Sequence, residues 1–227
     1  MASQPRPKIP YIPQALILAA SCIFCLALMF VRIQMTGKIT YIFLAWNLFL
    51  AVIPFFLSLL IHTFVAVGAK RWLLIIASFV WLLFFPNALY IITDFVHLKS
   101  RHNIPLWYDS LLIFSFAWNG AICGFFSLRI LHTVFEEKVS RLFGWTFAAF
   151  ALLVGSFGIY IGRFLRWNSW DVVNNPLPLV SDIITLVRNP ADNPQSIAVT
   201  AFFFLFLFMA YASMVSFASI RGDDRNR

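Results

Sequence analysis

The sequence predicts an all-α integral membrane protein: one domain of six transmembrane helices, with a short interfacial helix in the loop between helices five and six. Composition and patterning both point there. Residues are 61% hydrophobic and 11% charged, with 27 Phe, whereas about a quarter of an ordinary soluble domain is charged. Apolar stretches recur at lengths of about 20 residues, enough for a helix to cross a hydrocarbon core of roughly 30 Å. They fall at 14–31, 40–61, 72–93, 109–131, 143–162 and 196–219.

A net charge of +8 raises nucleic acid as a partner, but the basic residues are scattered in twos and threes among the loops and form no patch. They read as topology signals. Ten of the 17 Lys and Arg lie on the side of the termini and seven on the other, which places both termini in the cytoplasm by the positive-inside rule.

The opening MASQPRPKIPYIP is basic and Pro-rich, and the apolar run after it is long and lacks a cleavage site before Arg32, so it is span one and not a secretory signal. Cys22 and Cys25 have CxxC spacing but sit in mid-membrane, and with Cys123 they read as small packing residues. Span two carries Asn47, about 13 Å below the entry point at Lys38 by helical rise, and Pro54, which forfeits a backbone hydrogen bond and kinks the helix. His62, near its inner end, reads as an interfacial residue.

Span three closes in PNALYIITDFVHLKSR, residues 86–101. Asn87, Tyr90, Asp94, His97 and Arg101 follow one another at steps of three or four and so share one helical face. Because the residues before them are apolar, this polar stripe starts inside the membrane, where polar groups must face protein or a wet cavity. Pro86 leaves the carbonyl of Leu82 without its helical donor, and Asn87 is the nearest side chain to serve it. Thr93 can bond back to its own helix. Asp94 and His97 can pair as carboxylate and imidazole, for acid–base work, as metal ligands, or to stabilise a helix end. A catalytic metal wants three protein ligands, which His97 and His102 would complete only with Asp94 and Asp109. No metal and no cofactor is assigned.

Span four begins at Asp109 and carries Asn119 about 15 Å in, so Asn47, Asn87 and Asn119 fall about 10–15 Å beneath one surface. Their convergence suits a pocket floor. His132, Glu136, Glu137, Lys138 and Arg141 read as a solvated loop on the opposite side. Span five ends in GRFLRWNSWD, where Arg163, Arg166 and Trp170 continue a face through the boundary. Those arginines either snorkel to lipid phosphate or clamp a phosphate or carboxylate, with Asp94 and Asp109 as the alternative partners for them. Leu179 to Arg188 is amphipathic and suits an interfacial lid. Span six, rich in Phe, offers no polar group before Tyr211 and Ser213 and reads as lipid-facing.

The blocks PNALYIITDFVHL at 86–98 and GRFLRWNSWD at 162–171 resemble an uncharacterised family of bacterial multi-pass membrane proteins, domain-of-unknown-function family thirteen sixty-one. The resemblance implies a bacterial plasma (inner) membrane and supplies no mechanism.

Three functional classes follow. An enzyme acting on a lipid-linked, phosphorylated or acylated substrate would use Asp94 and His97 as acid–base groups, Arg163 and Arg166 as an anion clamp, and Asn47, Asn87, Tyr90, Asp109, Asn119 and Trp170 as binding residues. A non-catalytic assembly or sensing protein would use the same cluster for packing or docking. A transporter should carry polar breaks near midplane in both halves, and this chain has them near one face. The expected partners are membrane lipid and an anionic or lipid-linked ligand, with no nucleic acid. The sequence names no protein partner.

Overall fold

The computed structural model describes residues 11–100 and 104–223, with side chains through 217. Arg101 and His102, given to the polar stripe and to the metal alternative, lie outside the described residues. Among the described residues, six helices are long and apolar enough to cross a membrane, as the sequence predicts, and the protein is accordingly a multi-pass membrane protein.

Helix α1 (Ile12–Thr36) has Pro13 in its first turn, where the missing N–H is harmless, and stops at Gly37 in a left-handed conformation with φ 64°. Helices α2 (Ile42–Ala66) and α3 (Arg71–Tyr90) each contain a proline, Pro54 and Pro86. The end of α3 tightens into a 3₁₀ turn over Ile91–His97. Helix α4 (Leu106–Lys138) is the axis of the bundle and largely buried, whereas little of the last helix, α8 (Pro194–Asp223), is buried.

Helix α5 (Arg141–Tyr160) starts on Ser140, whose hydroxyl accepts from the Phe143 N–H at 3.1 Å. It widens into a π-turn over Ile161–Leu165 and ends at Arg166. The predicted interfacial helix is α7 (Pro176–Arg188), three residues longer at its start than the sequence pattern indicates because Pro176 opens it. The four-residue α6 (Asp171–Asn174) precedes it, and a 3₁₀ turn, Pro190–Asp192, leads into α8.

Close helix approach fixes the bundle. A Cβ on Gly120 of α4 would collide with Ile91, and one on Gly158 of α5 would lie 2.6 Å from Cβ of Pro86. Small residues therefore let α3 sit tightly between α4 and α5. Near the middle, the Ser127 hydroxyl donates to the Pro54 carbonyl at 2.9 Å and accepts from the Trp81 indole at 2.5 Å, joining α2, α3 and α4.

One expectation about the loops is corrected. Residues 132–138 continue α4 and are no loop. His132 is fully buried, its Nδ1 2.7 Å from the Tyr211 hydroxyl of α8 and its Nε2 3.4 Å from the Glu136 carboxylate. That Tyr211 reaches across is not legible in the sequence, because a single tyrosine in a Phe-rich span looks like boundary decoration.

Candidate functional site

Two departures from regular helix build one end of the bundle. Pro86 weakens the end of α3, which tightens from Ile91 onwards, while α5 loosens and turns out at Arg166 with φ 62°. Both segments converge where α2 begins. The Asn47 amide of α2 donates to Asp94 Oδ2 at 2.7 Å, and Arg163 Nη1 lies 3.5 Å from Asp94 Oδ1. Arg163 also donates to the Thr93 carbonyl at 2.6 Å and to the Tyr90 hydroxyl at 3.1 Å, and its Nη1 is 3.3 Å from His97 Nε2. Thr93 bonds back to the Tyr90 carbonyl at 2.7 Å, as its position in the helix suggests.

Arg163, not the Asp94–His97 pair, is the hub. Asp94 and His97 do not bond each other; the guanidinium lies between them. With Asp94 side-chain exposure at 1% and Arg163 at 17%, the carboxylate is sealed behind the arginine and the cation faces the opening. His97 is held from behind as well: its ring packs edge-on against Phe43 at 5.0 Å, and its carbonyl accepts from the Tyr41 hydroxyl at 3.3 Å.

Asn87 lines the pocket but does not serve Leu82. Its amide donates to the Ser169 hydroxyl at 2.8 Å, and that hydroxyl donates to the Leu83 carbonyl at 2.9 Å. The loop after α5 thus ties itself to α3 beside the proline, through Asn87 and the Leu83 carbonyl, which no spacing within α3 could reveal. Asn47, Asn87, Tyr90 and Trp170 surround a slot of about 110 Å³. Trp170 packs against Trp46 at 6.3 Å. Next to the slot, Tyr90, His97, Arg163 and Arg166 wall an open cavity of about 520 Å³. Arg166 is exposed, and among the described residues its side chain makes no hydrogen bond or ion pair.

Two predicted site residues lie elsewhere. Asp109 faces α1, where Arg32 holds it bidentately, Nε to Oδ1 at 2.7 Å and Nη2 to Oδ2 at 3.2 Å, with both side chains at most 3% exposed. It is therefore neither a counter-ion for Arg163 nor part of a ligand set with Asp94. Asn119 is buried and donates to Cys25 Sγ at 3.0 Å and to the Ser115 carbonyl at 2.9 Å. Depth along a span says nothing about direction, and Asn119 turns toward α1.

An apolar groove of about 350 Å³ adjoins the slot, between α3, α5 and α7. Leu82, Leu83, Val154, Phe157 and Ile161 line it from the bundle, and Leu179 and Ile183 of α7 cover it. The Trp167 indole N–H donates to the Asp182 carboxylate at 2.8 Å and so ties α7 to the loop beside the site.

No curated protein and no solved structure matches the chain. A family model does, over residues 46–216, which takes in Asn47, the proline break of α3, both arginines and α7. The chain belongs to the family described as a protein of unknown function, DUF1361.

Proposed function

We propose that the protein binds an anionic, membrane-delivered ligand at the Arg163–Arg166 cavity, on the side of a plasma membrane that faces away from the cytoplasm. The observation that carries this reading is the pair of guanidinium groups on one open cavity, one partly committed and one without a partner among the described residues. Guanidinium favours phosphate and carboxylate, which it can grip through two parallel N–H donors. Asn47 and Asp94 would then be positioning residues: a sealed carboxylate bonded to an amide holds Arg163 in place. That arrangement supports binding over acid–base chemistry, because Asp94 has no open face to offer a substrate.

An assembly role is the second reading, favoured by how completely Asp94 and Asn47 are used in packing. Calorimetric titration with phenyl phosphate separates the two. Wild-type protein in nanodiscs should bind it, and Arg166→Ala should weaken binding roughly tenfold, as loss of a charge-assisted hydrogen bond implies, with unchanged elution and helicity. Absence of binding by a well-folded wild-type protein favours assembly.

A further inference from the structure

Resting on that anion-binding reading, we propose that the ligand is an anionic membrane lipid whose headgroup phosphate sits on Arg163 and Arg166 and one of whose acyl chains lies in the apolar groove beneath α7. The groove and the cationic cavity adjoin the same slot. Pro86, Gly158, Trp167 and Asn168 line both the groove and the slot, and Tyr90, Gly162 and Asn168 line both the slot and the cavity. Asn168 lines all three, so an occupant laid across it would meet hydrocarbon walls, then the polar slot, then two guanidinium groups. That order of surfaces, apolar then polar then cationic, is complementary in charge and polarity to an acidic phospholipid.

The groove also opens in the right direction. Phe79 on its wall is 61% exposed, on a helix that spans the membrane, so the groove borders hydrocarbon. Its roof is amphipathic. Leu179 is buried beneath α7, and Asp182 on the same helix reaches Trp167 at the rim. Gly158 packs directly against Pro86, where a Cβ would lie 2.6 Å away, so α3 and α5 touch there and the way from groove to cavity runs over the Trp167–Asn168 loop, whose Asn168 lines all three hollows.

The test uses full-length protein in phosphatidylcholine nanodiscs and a series of alkyl phosphates from butyl to dodecyl. Each methylene that enters the groove should tighten binding about threefold to fourfold. Val154→Trp, which fills the groove from α5, should flatten that dependence while leaving butyl phosphate bound, and Ile183→Trp should do the same from α7. In a second arm, native mass spectrometry of protein from mixed nanodiscs should show phosphatidylglycerol retained over phosphatidylcholine, with the preference lost in Arg163→Gln/Arg166→Gln. Phosphate binding that ignores chain length in the wild-type protein overturns the groove assignment and leaves the anion reading standing. Equal retention of dodecanol and dodecyl phosphate overturns the pairing of chain and headgroup. If no alkyl phosphate of any length binds, the anion reading itself falls.

Discussion

Arg32 commits its guanidinium to one carboxylate in a dry setting, stacked 4.3 Å from the Tyr41 ring centre, while Arg163 divides its donors among Tyr90, Thr93, His97 and Asp94 at the edge of a cavity. The first arrangement suits a staple between α1 and α4, the second a group that can exchange one acceptor for another. Removing one partner of a buried pair strands the other charge, at about 3–5 kcal/mol. Asp109→Ala should therefore destabilise the protein by about that amount in a denaturant titration in detergent, and Arg32→Met/Asp109→Leu should restore most of it by removing both charges. Asp94→Asn should have a different signature. It keeps the shape beside Asn47 but takes away the charge that orients Arg163, so anion binding should fall by about tenfold while stability changes little. Asp94, Asn47 and Arg163 were legible in the sequence because polar groups in apolar runs stand out. Arg32 was not, because a charge at the edge of a span looks the same whether it faces water or a buried carboxylate.

At the scale of elements, the site depends on where helices stop being regular. Pro86 and the tight turn after Tyr90 bring Asp94 and His97 around toward α5, and the π-turn after Tyr160 swings Arg163 to meet them. The proline could be read from the sequence. The π-turn could not, since Ile161–Leu165 contains no residue that forbids ordinary helix, and its geometry follows from packing against Tyr90 and the Trp167 loop. Gly158 is the point at which α3 and α5 touch, and Gly158→Val should force the helices apart at Pro86. A shift in the melting transition of several degrees downward, with loss of the Asn87–Ser169 link, is the expected outcome, and unchanged melting would mean that the contact is slack. Helix α7 answers to a smaller device, the Trp167–Asp182 bond. Asp182→Asn weakens the charged acceptor without altering shape, so hydrogen exchange across 176–188 should quicken while α3 and α4 stay protected.

For the whole molecule, the alternation of six spans puts the start of α1 and the end of α8 on one side and the Arg163 cavity on the other. The contacts agree with that alternation: the end of α1 meets the start of α4 through Arg32 and Asp109, and the start of α2 meets the end of α3 through Tyr41 and His97. Span number and order were readable from apolar run length alone, because nothing but a membrane calls for them. Which side faces the cytoplasm rests on a modest excess of Lys and Arg around the termini. Two exposed valines make that orientation measurable, Val139 in the α4–α5 link and Val173 in α6, on opposite ends of the bundle. With cysteine placed at each in turn, a membrane-impermeant maleimide should label position 173 and spare position 139 in sealed right-side-out vesicles, and the pattern should reverse in inverted ones. The free thiols of Cys22, Cys25 and Cys123 lie within spans, so the unsubstituted protein should give little background. Labelling of 139 and not 173 in right-side-out vesicles would turn the cavity toward the cytoplasm, where the same two arginines would face soluble phosphorylated compounds as well as the inner leaflet.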